Sequence, residues 1–333
     1  MKTLLLRDDQ VKKLLSISEV IEAVELAFKQ KAKGGVHMPA KVYLNFKKYN
    51  GDLRTMPSYL EELDISAVKI VNVHPDNPSK HNLPTIMAVI VLIDPSNGFP
   101  LAIMGATTLT DMRTGAAGGI AAKYLARKDS KIVGLVGAGA QARAQLRALV
   151  EVYKKLEEVR VWSRHPKTIS GFETEAEREY GNKCKVLPEE SVRKTVEGAD
   201  IVVTTTPSRK PLVMDDMISS GVHINCIGAD AIGKEELDPL ILKRAKIVID
   251  DWEQASHGGE INVPLLLRDK IVTKEDVWAE IGEIVAGLKS GRTSEDEITV
   301  FINTGLAVQD AITAKLAYDK ALQKRVGNFI TIV

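Results

Sequence analysis

Cysteine is scarce in this chain of 333 residues: Cys184 and Cys226 are the two present, far apart and in no Cys-x-x-Cys spacing. Neither a zinc site nor a redox pair is indicated, and both read as reduced, buried thiols. Net charge is almost absent too, because 45 Lys and Arg stand against 44 Asp and Glu for a formal +1. That balance leaves no electrostatic footprint for a polyanion, so nucleic acid and anionic membrane surfaces are excluded as expected partners in favour of a small molecule. Long apolar runs are missing as well. The longest, Ile86 to Ile93, has eight residues, against the roughly 20 that a membrane helix requires. Leu4 to Leu6 are interrupted by Arg7, Asp8 and Asp9, too short a core for a signal peptide, and a cytoplasmic protein is expected. There is no internal repeat or low-complexity tract.

What is present is the composition of an ordinary globular protein, 44% hydrophobic and 27% charged, in a length that suits two domains with real cores. Val20, Ile21, Val24, Ala27 and Phe28 recur at helical spacing within residues 17 to 33. From 39 to 105 the chain breaks into β-rich runs, Lys41 to Phe46, Leu53 to Leu60, Ile65 to Val73 and Ile86 to Ile93. Their short turn-rich connections favour antiparallel or mixed pairing, so the first third is α+β. From 131 the texture changes. Strand-like Lys131 to Val136, Glu158 to Ser163, Asp200 to Thr206, His223 to Ile227 and Lys246 to Asp250 alternate with amphipathic segments, the pattern of a parallel, doubly wound sheet. Beyond a further strand-like run, Ile298 to Asn303, a last helix from about Leu306 to Lys324 has no strand partner in the doubly wound pattern. It is expected to return to the first domain.

Lys131 to Val136 runs into Gly137-Ala-Gly-Ala-Gln-Ala142 and then into a helical segment, giving strand, Gly-x-Gly-x-x-Ala, helix. Gly137 permits the tight turn, Gly139 lets the backbone approach a pyrophosphate, and Ala142 allows the helix to pack on the strand. The helix N-terminus, with Ala140 and Gln141, then receives the phosphate charge. At the end of the second strand, where an NAD site carries an acidic residue, stand Ser163, Arg164 and His165. With no carboxylate to repel a 2′-phosphate and a guanidinium to grip it, NADPH is expected to be accepted alongside NADH. Thr204-Thr-Thr-Pro207, with Thr205 and Thr206, and Gly228-Ala-Asp230, with Ala229, follow later strands and should line the nicotinamide side.

With the glycine turn placed, nearly the whole chain resembles the ornithine cyclodeaminase/μ-crystallin family, and most closely its archaeal alanine dehydrogenase and Δ1-pyrroline-2-carboxylate reductase members. The segments that carry the resemblance are Gly51-Asp-Leu-Arg-Thr-Met-Pro57, Lys69-Ile-Val-Asn-Val-His-Pro75, Arg113 to Ala126, Gly228-Ala-Asp230 with Gly233-Lys-Glu-Glu-Leu-Asp238, and Gly258-Gly-Glu-Ile-Asn262. The resemblance implies an α/β fold in which a Rossmann doubly wound domain, residues 116–303, is inserted into a discontinuous α+β substrate and dimerisation domain, 1–115 with 304–333. It also implies a homodimer. Lys69 and Asp230 would be catalytic and flank the reacting carbon. Lys41, Arg54, Lys69 and Arg113 would bind the substrate carboxylate, with Arg113 and Thr114 also facing the cofactor phosphates. Gly115, Gly118 and Gly119, in a helix expected over Thr114 to Ala126, would let backbone amides approach those phosphates or allow close packing, the first being favoured. His74 and His257 are read as local hydrogen-bonders.

Reducing a C=N bond needs the nicotinamide C4 held against an imine carbon whose nitrogen is protonated. A carboxylate at Asp230 favours that iminium, Lys69 can donate a proton if its pKa is lowered, and arginines can fix the carboxylate. Taken singly, Asp230 reads as well as a helix N-cap, Lys69 as a solvated strand charge and Arg54 as an edge residue. Cyclodeaminating members of the family carry a glutamate in the segment matching Gly51 to Pro57, where this chain has Arg54. A guanidinium repels a second ammonium, so ornithine is disfavoured. Reduction of Δ1-pyrroline-2-carboxylate to L-proline leads, followed by pyruvate plus ammonia giving L-alanine. Ornithine cyclodeamination and an NADPH-linked ligand-binding protein of μ-crystallin type are the remaining alternatives. Ile302-Asn303-Thr304 stands where the alanine dehydrogenase pattern has Asp-Ser-Thr, a departure from a strict carry-over of that activity.

Overall fold

The computed structural model describes residues 1–229, 233–256 and 272–333. They divide into two compact units, Met1–Arg113 with Leu306–Val333, and Thr114–Gly305. The first unit is built on strands β1 (Thr3–Leu6), β2 (Val36–His37), β3 (Val42–Phe46), β4 (Gly51–Leu60), β5 (Ile65–Val73), β6 (Ile86–Ile93) and β7 (Pro100–Gly105). With the terminal strand Asn328–Ile330 they form one sheet in the order terminal strand, β1, β7, β6, β5, β4, β2, with β3 on β4. The β1–β7 pair is parallel and the others are antiparallel, a mixed sheet as the turn-rich connections suggested.

Alternation along β4 and β5 decides which face is inside. Arg54, Met56, Ser58 and Leu60 of β4 and Ile65, Ala67, Lys69 and Val71 of β5 are inward or nearly so, so each charged residue among them is buried by the same period-two rule that buries its apolar neighbours. The helix Ala307–Lys324 packs on β4, β5 and β6 and on the helix Ile17–Ala32. Its Ala307, Ala311, Ala314, Ala317 and Ala321 are buried, and such small side chains allow a close approach to the sheet. The chain thus returns after its second unit, as the unpartnered last helix required.

The second unit carries β8 (Ile132–Val136), β9 (Glu158–Trp162), β10 (Lys185–Pro188), β11 (Ile201–Thr204), β12 (Arg209–Val213), β13 (His223–Cys226), β14 (Glu235–Leu237), β15 (Lys246–Ile249), β16 (Val277–Glu280) and β17 (Thr299–Ile302). Eight of them form a parallel sheet in the order β10, β9, β8, β11, β13, β17, β15, β16, while β12 and β14 pair separately. Every residue of β11, β13 and β17 is buried, as expected of parallel strands covered on both faces. One apolar cluster gathers Val202, Ile224 and Val300, another Val133, Leu149, Val159 and Phe172. The order reverses between β8 and β11, the switch point of a doubly wound sheet. Four strands of this unit went unanticipated, β10, β12, β14 and β16, as did β1, β2, β7 and the terminal strand of the first; each is short, and the ladder that makes it a strand is non-local. Both cysteines are free and buried, and among the described residues no helix is long and apolar enough to cross a membrane.

The helix expected over Thr114 to Ala126 begins earlier, at Thr107, and ends at Leu125. Its first turn is held by a carboxylate from far away in the chain: Thr108 donates through its backbone N (2.9 Å) and its Oγ1 (2.5 Å) to Asp8. An acidic group satisfies the orphan amides of a helix start. Gly115, Gly118 and Gly119 therefore lie inside the helix, where their amides serve the helix ladder, and the expected approach of these amides to a phosphate gives way to packing. A Cβ on Gly115 would sit 2.3 Å from the carbonyl oxygen of Ala144, and one on Gly118 would sit 1.9 Å from Gln145 Oε1, both on the helix Ala140–Val152. Gly115→Ala should lower unfolding free energy by about 1–3 kcal/mol in urea titrations, because rigid backbone opposes the added methyl; unchanged stability would show that the two helices can separate at no cost.

Candidate active site

The glycine turn lies between β8 and the helix Ala140–Val152. Gly137 has φ of +116° and no room for a side chain, since a Cβ would meet Thr205 Oγ1 at 2.4 Å. Its N–H donates to the carbonyl of Trp162 (2.8 Å), and Thr205 N donates to Val136 O (2.9 Å), so the turn is pinned to the ends of β9 and β11. Gly139 is the opposite case. It caps the helix in extended backbone, and a Cβ there would meet no atom of the described residues within 4 Å. That open exit above a helix N-terminus suits a pyrophosphate. Arg143, which the sequence reading left out, donates through Nη1 to the carbonyls of Ala138 (2.5 Å) and Gly139 (3.2 Å) and is steadied by Glu175 (2.6 Å). Engaging those carbonyls removes acceptor character from the turn and leaves its donors for an anion.

Ser163, Arg164 and His165 follow β9. Ser163 Oγ accepts from the His165 N–H (3.3 Å), while Arg164 and His165 are exposed. Thr206 is tied to Glu236, a buried acid on β14 that the sequence reading did not select; burial pushes the carboxyl pKa of Glu236 up against the hydrogen bonds that hold it. Ala229 is buried, and Thr114 O accepts from Gln145 Nε2 (2.9 Å). Asp230, His257 and Gly258-Gly-Glu-Ile-Asn262 lie outside the described residues.

In the first unit the inward face of the sheet gathers Lys69, Arg54 and, on the helix Thr107–Leu125, Arg113. Lys69 Nζ is 2.6 Å from Asp310 Oδ2, and Arg113 Nε is 2.9 Å from the other oxygen of the same carboxylate. Arg113 Nη1 also donates to Gln309 Oε1 at 2.9 Å. Lys69 and Asp310 have side-chain exposures of 0% and 1%. Burial, with the Arg113 charge beside it, pulls the lysine from its ordinary range down to about 7, against the opposing pull of Asp310. Such a group can hold or release a proton at neutral pH.

Arg54 pairs in register with Val71, and Met56 with Lys69, so the arginine and the lysine are diagonal neighbours on one face. The guanidinium of Arg54 forms a two-pronged pair with Asp52 (2.9 and 3.1 Å) and lies over the Tyr43 ring at 5.1 Å. Lys41, just before β3, is buried as well. Lys41, Arg54, Lys69 and Arg113 are thus four buried cationic side chains of this unit, a residue type that suits a carboxylate ligand. Asp52, Gln309 and Asp310 escaped the sequence reading. Alternation of β4 could have flagged Asp52, which shares the face of Arg54 two residues on. Nothing local marks Asp310.

The sheet order, the switch point and the glycine turn define a dinucleotide-binding protein of the doubly wound class. The chain belongs to the ornithine cyclodeaminase/mu-crystallin family, whose model matches residues 1–325. It is 50% identical over 330 residues to the alanine dehydrogenase of Archaeoglobus fulgidus, covering 99% of this chain and 98% of that protein. Among solved structures, an archaeal alanine dehydrogenase dimer with bound NAD matches all of this chain and all of its own with a TM-score of 0.93 at 48% identity. The Thermococcus litoralis Δ1-pyrroline-2-carboxylate reductase in complex with NADH and L-proline matches with a TM-score of 0.93 at 42% identity, over 98% of this chain and 100% of its own.

Two outcomes follow from this geometry. Gly139→Ala should leave the melting temperature within about 2 °C, since a methyl there meets open space, yet weaken NADH binding at least about tenfold in calorimetric titration because it occupies the path of the pyrophosphate; undiminished affinity would place the phosphates elsewhere. Asp310→Asn removes the charge that holds the Lys69 pKa up, so the lysine deprotonates at lower pH. If Lys69 is the proton donor, the alkaline fall in reduction rate, set near pH 7 by the native lysine, should move to lower pH in this variant. A fall that stays in place would dissociate Lys69 from the profile.

Proposed function

We propose that this protein catalyses reduction of a 2-imino acid to an L-amino acid at the expense of NADH or NADPH. The observation that carries the reading is the buried cationic face on which Lys69 and Arg113 share Asp310. It offers one group able to exchange a proton at neutral pH among cations that suit a carboxylate, the two things a protonated imino acid requires. A bound reduced nicotinamide supplies the hydride. The turn residues Gly137, Gly139, Ala140 and Gln141 hold the pyrophosphate, and Thr205, Thr206 and Ala229 hold the nicotinamide side. Ser163, Arg164 and His165 take the ribose end, where the absence of a carboxylate favours acceptance of a 2′-phosphate. Arg113, Arg54 and Lys41 orient the substrate carboxylate, Lys69 gives a proton to the substrate nitrogen or polarises a carbonyl, and Asp230 stabilises the iminium.

Δ1-Pyrroline-2-carboxylate, giving L-proline, is placed first. Its imine is already formed, so one carboxylate clamp and one proton donor suffice. Pyruvate with ammonia, giving L-alanine, is the second reading, favoured by the 50% identity to the Archaeoglobus protein. A homodimer is part of the proposal; Val42, Leu44 and Val89 are exposed apolar side chains on the first unit's sheet that could supply apolar area for such a contact.

The test follows NADH and NADPH oxidation with each substrate, and proline release from ornithine. Rapid turnover of the cyclic imine and none of ornithine is expected; preference for pyruvate with ammonia would exchange the two readings, and turnover of neither would overturn the function. Lys69→Ala should lower kcat by about 10²–10⁴-fold with NADH affinity within about twofold of wild type, and retained turnover would remove Lys69 from the chemistry.

A further inference from the structure

β11 and β13 are neighbours in the parallel sheet, and the crevice beyond their carboxyl ends is where a sheet of this order receives the reactive half of a dinucleotide. One side chain ties the two ends together. Glu236 is 1% exposed. Its Oε1 accepts from the backbone N–H and the Oγ1 hydroxyl of Thr206, at 2.5 and 2.8 Å. Its Oε2 accepts from Thr204 Oγ1 at 2.8 Å and from the backbone N–H of Gly228 at 2.9 Å. Under this clasp the two backbones run very close: a Cβ on Gly228 would sit 2.2 Å from Thr206 O and 2.5 Å from Thr206 N.

A buried carboxylate is retained only when its acceptor sites are filled, and a well-packed apolar side chain would hold a core as well or better. What the carboxylate adds is direction, because four N–H and O–H donors from two strand ends, with the Cys226 thiol at 3.8 Å, converge on two oxygens. We propose that Glu236 is a positioning residue for the nicotinamide end of the dinucleotide: by clasping Thr206 to Gly228 it sets the slot beyond β11 and β13 into which the ring fits. The inference rests on the reading of this unit as the dinucleotide-binding one and adds to it the residue that shapes the reactive end. Each carboxylate oxygen takes one backbone N–H, so a glutamine at this position turns its own NH₂ against one of them in either orientation.

The experiment compares two probes on the full chain by calorimetric titration, NADH and ADP-ribose, the second lacking the nicotinamide. In Glu236→Gln, ADP-ribose affinity should stay within about twofold of wild type while NADH affinity falls about tenfold or more, in proportion to a buried donor left unpaired. Equal weakening of both probes would reduce the clasp to general support of the unit, and unchanged NADH affinity would deny it any part; either result overturns the proposal. Thr204→Val, which removes a single hydroxyl donor and spares both backbone bonds, should give the same split at about threefold, and serves if the glutamine variant does not fold; absence of a split there is equally fatal. Wild-type protein that binds both probes but reduces no imino acid would overturn the proposed function and leave this test standing, whereas wild type that binds neither would end both.

Discussion

A lysine on the inward face of a β-sheet cannot keep its charge in an apolar core without a carboxylate beside it. Here the carboxylate is Asp310, which meets Lys69 through one oxygen and Arg113 through the other. Much of the first unit is arranged around that pair. The helix Ala307–Lys324 has to come back across the sheet to deliver the acid, and it does so on a row of alanines. Gln309, one residue earlier, adds a neutral acceptor for Arg113. Because one carboxylate serves two cations, the lysine is under-compensated, and burial wins over attraction to bring its pKa near neutrality. The stability cost of burying these charges and the chemistry available to them are thus one fact.

The second unit solves a different problem, how to present donors to a ligand at the ends of parallel strands. Arg143 does so at the glycine turn by engaging its carbonyls, whereas Glu236 accepts from the amides and hydroxyls at the ends of β11 and β13 and so holds those two ends together. Both residues are long side chains reaching into turns from neighbouring elements. In each case a side chain beyond the turn helps its glycines to set the conformation.

The legible parts of this fold were those with local causes. Strands β8, β9, β11, β13 and β15 announced themselves as short apolar runs between amphipathic segments, and the glycine turn by its flanks. The start of the helix Thr107–Leu125 was misplaced because its cap is Asp8, about a hundred residues earlier. That displacement turned Gly115 and Gly118 from presumed phosphate contacts into packing positions against the helix Ala140–Val152. β14 was missed because three residues beginning with two glutamates carry no periodicity, although one of those glutamates is wholly buried.

Sequence by itself determined the doubly wound unit, the place of the glycine turn, and the family motifs that single out Lys69, Arg54 and Arg113, because alternation, turn chemistry and motif spacing are properties of neighbouring residues. Tertiary structure alone decided which acid answers Lys69 and Arg113. Asp310 lies 197 residues beyond Arg113, and nothing near it in the chain distinguishes it from any polar residue of an amphipathic helix. Coulomb attraction acts through space, so the partner of a buried charge becomes visible only once the chain has folded back on itself.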